Sequence, residues 1–266
     1  MIPSEIEPLV EALTPIKSYL PDIVLVGGWV PLLNKFYNPS YKYNGLLVMT
    51  KDVDLVCPRS LPVKEEGIDD LLIKDGFESQ LSGVDTPPIC KYVKESIIEI
   101  EFLTPMEGAG SEGNINIQNK LSAQSLRYLD ILLNHTVLIS IPEAGMKVKT
   151  PELSAFIYQK GLSFLFRTSN LKEAKDLYYI YQVLDSVSDV DSLIQRLKET
   201  IFPSHPQTWI SKFIKNIESH FRDIDDIGVD SVFRQIQELP EYDGEDEIEK
   251  RKIFRTFSDF IRSTKS

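Results

Sequence analysis

The chain has 266 residues, 42% of them hydrophobic and 26% charged, and a net charge of -11 at pH 7. That length and apolar content can fill one large domain or two ordinary ones. The acidic balance argues against nucleic-acid binding through the overall field, and no run is long and apolar enough to cross a bilayer.

In chain order, the first element expected is a helix. Ser4 and Glu7 have capping-box spacing, and Ile6, Leu9, Val10 and Leu13 share one face. The opening residues have no basic n-region and no apolar h-region, so they read as structure rather than as a leader. "DIVLVGGWVPLLNKF" predicts a short buried strand that breaks at Gly27-Gly28 into a helix carrying Trp29, Leu32 and Leu33. "YNPSYKYNG" is a loop rich in turn residues, and "LLVMTKDVDLVCP" is a second strand ended by Pro58. Residues 63–79 fit an amphipathic helix closing near Gly76. "ICKYVKESIIEIEFLTP" reads as a hairpin turning near Lys94–Ser96, because Val, Ile and Phe dominate both arms. A second strand pair is expected in "LRYLDILLNHTVLISIP", turning at Asn134-His135.

From Thr150 the pattern changes. Thr150 is a candidate N-cap with Pro151 at the first helical position, and most of the chain beyond it is helical: 171–186, 189–200, 206–222, 229–238 and 247–262. "ELPEYDGEDEIE" is an acidic loop, and the last helix repeats Ile253, Phe254, Phe257, Phe260 and Ile261 on one face. The expected architecture is α+β: a mixed sheet flanked by helices over residues 1–145, then a helical part over 146–266.

Cys57 and Cys90 are far apart and in no metal or redox spacing, so they read as free buried thiols of a reducing cytoplasm, the expected location. His135, His205 and His220 lie near no cysteine pair and in no HExxH pattern, which excludes the usual zinc sites and histidine triads. Between Met146 and Gln182 the balance is locally basic, with six cations against three acids, which suits an anionic ligand there.

The informative feature is Asp52 and Asp54, placed inside an apolar run. Residues two apart on a strand point to one side, with Cα atoms roughly 7 Å apart. Two such carboxylates repel each other and lose hydration, and a divalent cation relieves both costs. Mg²⁺ suits them because it takes carboxylate and phosphate oxygens rather than a full protein cage. The plainer alternative leaves both acids at an exposed strand end, bonded to Thr50 and backbone amides. Glu99 and Glu101 in "SIIEIEFL" repeat the spacing. If that strand lies beside 46–56, Glu101 or Glu99 completes a three-carboxylate cluster of the kind that holds two ions for in-line phosphoryl displacement. The Gly27-Gly28 break adds a helix start whose N–H groups can hold phosphate oxygens.

"VGGW…TKDVDLV" followed by "EIEFL" resembles the motif of the DNA polymerase β-type nucleotidyltransferase superfamily. "MKVKTPELSAFIYQKGLSFLFR…LKEAKDLYYIYQVL" is similar to the corresponding region of small bacterial AbiEii-type toxin nucleotidyltransferases. The resemblance covers about residues 20–185 and implies a nucleotidyltransferase fold. It also implies two Mg²⁺ ions (Mn²⁺ as the substitute) held by Asp52, Asp54 and Glu101, with Glu99 as the nearby alternative. Gly27 and Gly28 would contact the triphosphate, with Thr50, Lys51, Lys160 and Arg167 as further nucleotide-binding candidates. Lys160 and Arg167, seven residues apart, would lie about two turns along one helix. Asp176 would help accept the proton of the attacking hydroxyl, or would pair with Lys172 at i,i+4. Tyr178, Tyr179 and Tyr181 read as core or rim aromatics. The chain departs from the family in having Gly28 where many members have Ser, Val48 and Met49 where many have Arg, and Glu as the third acid.

The implied activity is transfer of a nucleoside monophosphate from an NTP, bound between the sheet and the helical half. The acceptor is a hydroxyl of a tRNA end, a protein or a small molecule, and the toxin resemblance implies an antitoxin partner. Two rival classes are a non-catalytic nucleotide-binding or scaffold module on the same fold and a two-metal phosphoester hydrolase.

Overall fold

The computed structural model describes residues 1–42, 50–82, 87, 89–95, 98–108, 113–167, 169–239 and 242–265. The start of the expected second strand, residues 46–49, and Ser96 at the expected hairpin turn lie outside the described residues. The chain divides into two compact units, Met1–Asn38 with Met49–Glu152, and Pro39–Val48 with Leu153–Ser266.

The first unit begins with helix α1 (Glu7–Leu13), whose Leu9, Ala12 and Leu13 are buried. The Ser4 capping box does not form: the hydroxyl bonds Glu5, and Ile6 holds the cap position with no side-chain bond. Strand β1 (Val24–Val26) breaks at the glycine pair into helix α2 (Trp29–Tyr37), as the sequence predicts. Strand β2 (Asp52–Val56) comes next. Helix α3 (Ile68–Lys74) starts later than expected but closes near Gly76 as expected, where the chain turns at φ 91° and residues from Glu78 enter an exposed edge strand, β3 (Glu78–Ser82). The predicted hairpin is present as β4 (Ile89–Lys94) and β5 (Ile98–Pro105), with Glu95 at φ 51°.

A hairpin of β6 (Gly113–Gln118) and β7 (Leu121–Leu126) then joins the sheet. Leu129–Asn134 is helix α4 rather than the first arm of a strand pair. Its Leu129 and Leu132 pack on Val24, Val26, Val56 and Leu103, a three-residue spacing that one helical face satisfies and a strand would split. Strand β8 (Thr136–Ile141) pairs instead with β9 (Met146–Pro151) in a separate two-stranded sheet. Thr150 and Pro151 therefore end a strand and do not cap a helix; the proline is tolerated at the last rung of the ladder.

Among the described residues β1 to β7 form one mixed sheet in the order β1-β2-β5-β4-β3, with β7 continuing beside β5 beyond the end of β4. The β2–β5 and β5–β7 pairs are parallel and the others antiparallel. Leu25, Val53, Leu55, Ile100, Phe102 and Tyr92 are all buried. On the opposite face Val56 and Leu103 lie under α4, and the residues two positions before them, Asp54 and Glu101, are acidic.

The second unit is helical. It comprises α5 (Leu153–Ser163), α6 (Asn170–Ser186), α7 (Val190–Arg196), α8 (Gln207–Glu218), α9 (Ile227–Gln237) and α10 (Asp246–Lys265). Tyr158, Phe164, Phe213 and Phe257 are among its fully buried side chains. A Cβ on Gly161 would come within 2.4 Å of the Phe213 ring, so α5 and α8 approach closely only because position 161 lacks one. On α10, Ile253, Phe257 and Phe260 are buried, with Phe257 stacked on Phe221 at 3.6 Å between ring centres. No described helix is long and apolar enough to cross a membrane. Cys57 and Cys90 are free and buried, and burial pushes the Cys57 thiol well above its ordinary pKa.

Candidate functional site

The parallel register of β2 and β5 sets Asp52 beside Glu99 and Asp54 beside Glu101. Neighbouring strands lie about 4.8 Å apart, and paired residues project to the same face. The two acidic pairs therefore form adjoining rows on one side of the sheet. The β4–β5 register extends the second row, because Lys91 pairs with Glu101. Lys91 Nζ lies 2.5 Å from Glu101 Oε1 and also bonds Glu99.

The side chains of Glu99, Glu101 and Lys91 are 28%, 21% and 35% exposed, so the cluster is half-buried and water reaches it. Burial raises the pKa of Glu101; the Lys91 bond pulls it down, and neighbouring Asp54 adds to the rise, which is the net direction. Burial by itself lowers the Lys91 pKa, but its bonds to Glu101 and Glu99 outweigh that, so the net shift is upward and the ammonium stays protonated.

The glycine pair bears directly on these rows. Val26, the last residue of β1, pairs with Asp54, and the next residue, Gly27, has φ 71°. A Cβ there would stand 2.5 Å from Asp54 Oδ2. Glycine is thus required twice, for the left-handed turn and for the close approach of the carboxylate. Gly28 caps α2 at φ -66°, an ordinary value, and both glycines are buried. Trp29 Nε1 donates to the Asp52 carbonyl oxygen at 2.9 Å, tying the start of α2 to the start of β2. Thr50 is buried, and Lys51 is exposed beside the same strand end.

Four carboxylates with oxygen donors only are a donor set suited to a hard divalent cation. The Lys91 ammonium stands in for a cation on two of them. As placed, however, no three acidic, histidine or cysteine side chains among the described residues converge closely enough to hold an ion. The donor chemistry fits the metal, but the cage is not preassembled.

In the helical unit Asp176 receives two cations. Lys160 Nζ lies 2.5 Å from its Oδ1, and Arg167 Nε lies 2.5 Å from its Oδ2. Lys160 and Asp176 are buried, and Lys160 also lies over the Phe156 and Tyr179 rings. Burial would raise the Asp176 pKa, but the charges of Lys160 and Arg167 and their bonds outweigh it, so the net shift is downward. The expected continuous helix from 151 through Arg167 is broken after Ser163 by a 3-10 turn over Phe164–Phe166. It is Asp176, not helical spacing, that brings Lys160 and Arg167 together. The i,i+4 pair with Lys172 is not the arrangement found. Tyr178, Tyr179 and Tyr181 are buried, and Tyr181 donates to Glu249 at 2.8 Å.

A family model described as nucleotidyltransferase matches residues 9–199. The chain belongs to the nucleotidyltransferase family. The chain is similar to JHP933 of Helicobacter pylori, with 12% identity and a TM-score of 0.44 over 100% of this chain and 95% of that one. It is also similar to an antigenic nucleotidyltransferase-like protein from Paracoccidioides brasiliensis, with 18% identity and a TM-score of 0.38 over 80% of this chain and 93% of that one. No curated protein matches it.

Two side chains of the site escape a reading of the sequence. Trp29 reads as an ordinary core aromatic, and nothing local shows that its indole reaches another strand. Lys91 had a usable signal: a hairpin centred on position 95 or 96 puts position 91 opposite 99 or 101, which names the lysine as an acid's partner in either register.

Proposed function

We propose that this family member is a metal-dependent nucleotidyltransferase that moves a nucleoside monophosphate from an NTP to an acceptor hydroxyl. The observation that carries the reading is the pair of acidic rows, Asp52/Glu99 and Asp54/Glu101, on adjoining parallel strands with Gly27 turning against Asp54. Asp52 and Asp54, with Glu101 or Glu99, hold Mg²⁺ or Mn²⁺, which when bound neutralises phosphate charge and favours the ionised acceptor hydroxyl. The hydroxyl oxygen attacks the α-phosphorus, the bond to the β-phosphate oxygen breaks, pyrophosphate leaves and the hydroxyl proton passes to solvent or a basic oxygen. Positioning and charge stabilisation supply most of the rate.

In this reading Gly27 and Gly28, with Thr50 and Lys51, form the phosphate-facing edge of the first unit. Lys160 and Arg167 supply positive charge in the second, where Asp176 orients both. Two cations already on that carboxylate make it a weak base, so orientation is its role here rather than proton transfer. The acceptor is a tRNA end, a protein hydroxyl or a small-molecule hydroxyl, and the AbiEii-like segment supports a toxin whose expression arrests growth until an antitoxin protein relieves it. A nucleotide-binding module without turnover is favoured by one observation, the Lys91 bridge that occupies Glu99 and Glu101.

The test is incubation with labelled NTPs, Mg²⁺ and total RNA or lysate. Transfer of label with release of pyrophosphate is expected, and Asp52→Asn or Asp54→Asn should reduce it at least a hundredfold, about 3 kcal/mol of lost charge stabilisation. Nucleotide binding by wild type and variants alike, with no pyrophosphate from any, establishes the module instead.

A further inference from the structure

Resting on the metal-site reading above, we propose that Lys91 is a resident counterion that the metal must displace, so that this lysine sets how tightly the site takes a divalent ion. Lys91 stands on β4, in the same lateral row as Glu101 and Asp54. Its ammonium bonds Glu101 and Glu99 together, the two acids from which the third ligand would come. An ammonium and a divalent ion cannot share the same carboxylate oxygens without strong repulsion at that distance. With Lys91 seated, both acids of β5 are engaged, and no three donors among the described residues converge. With Lys91 withdrawn, one carboxylate of β5 is released toward Asp52 and Asp54.

The withdrawal is mechanically simple. The lysine side chain is 35% exposed, so its four-carbon stem can swing the ammonium into water without unpacking the core. The seat also has a use in the metal-free protein, where it offsets part of the repulsion among four acids on one face. The cost of displacing Lys91 lowers the affinity for a bare ion. A nucleotide-bound ion brings phosphate oxygens that can accept the released ammonium, and so recovers that cost. The site would thereby favour the metal–nucleotide complex over free metal.

The experiment is Mn²⁺ binding followed by electron paramagnetic resonance, with no nucleotide, on wild type, Lys91→Met and Asp54→Asn. Lys91→Met is expected to bind Mn²⁺ about tenfold more tightly than wild type, the exchange of one ion pair, and Asp54→Asn to lose binding. A second measurement uses wild type alone: acylation of lysine amines, read by mass spectrometry. Mg²⁺ should speed modification of Lys91 several-fold and leave exposed Lys74 and Lys120 unchanged. If Mn²⁺ binds in an Asp54-dependent way but Lys91→Met leaves its affinity unchanged, or Mg²⁺ leaves Lys91 modification unchanged, the counterion proposal falls and the metal site stands. If no variant binds Mn²⁺ and Asp54→Asn matches wild type, both readings fall together.

Discussion

The two ionic clusters of this protein are built on opposite principles. On the sheet, four carboxylates lie on one face, a single lysine bridges two of them, and the charge imbalance is negative. In the helical unit one carboxylate is shared by a lysine and an arginine, the Lys160–Asp176 pair is buried, and the imbalance is positive. A half-exposed cluster with surplus acid can exchange its cation cheaply, because water solvates the ion that leaves. The buried cluster has one carboxylate for two cations, so losing it removes both bonds at once. The contrast thus suits the cation exchange proposed for the sheet and fixed positive charge in the helical unit.

The largest expected effect comes from that lack of redundancy. Asp176→Ala leaves the buried Lys160 without the carboxylate it bonds and should destabilise the protein by about 3–5 kcal/mol, read by thermal or denaturant unfolding. The sign of its pH dependence is also fixed. The pKa of Asp176 is lower folded than unfolded, so its contribution is complete above the unfolded carboxyl range and is lost as pH falls through the folded value. Wild type should lose stability on acidification by more than Asp176→Ala does. Equal acid profiles for the two proteins would mean that the pair contributes nothing to folding, and the contrast between the clusters would fail.

An intermediate effect is expected at the turn that touches the acidic rows. Gly27→Ala must hold φ 71° and place a methyl 2.5 Å from Asp54 Oδ2. Because that atom ends a short side chain, the carboxylate rotates away and the strand stays in place. The stability loss should stay near 1–2 kcal/mol, the cost of a left-handed non-glycine residue. Mn²⁺ binding should nonetheless fall as it does in Asp54→Asn. Retained metal binding in Gly27→Ala would show that the Asp54 carboxylate is not held where the turn puts it.

The same contrast governs how much is legible in the sequence. Period-two spacing in "DVDL" and "IEIE" names the acids, and the glycine pair names the strand-to-helix break, since each signal is local. The "LRYLDILLNH" stretch misleads because Leu126, Leu129, Leu132 and Leu133 suit either a strand reading or a helix until α4 is seen on Val56 and Leu103. The β6–β7 hairpin escapes notice because its arms are rich in Asn, Gln and Ser, and the short alternation of Ile115 and Ile117 in β6 has no counterpart in β7. Counting along one helix puts Arg167 beside Lys160, but that helix stops at Ser163. Lys160, Arg167 and Asp176 are joined by packing between α5 and α6, to which residue spacing along one helix is blind.

The smallest expected effect is the most discriminating. Glu99→Gln removes one of the two acids on Lys91, yet Lys91 keeps Glu101 and the surplus of negative charge on that face falls. In a half-exposed cluster these changes oppose each other, and the stability shift should stay within about 1 kcal/mol in either direction. Chemical denaturation of Glu99→Gln beside Asp176→Ala measures the contrast directly. A loss at Glu99 as large as that at Asp176 would mean that the sheet cluster is as fixed as the helical one. Lys91 could not then leave its seat for an incoming ion at modest cost, and selectivity for the metal–nucleotide complex would have to come from somewhere other than cation exchange.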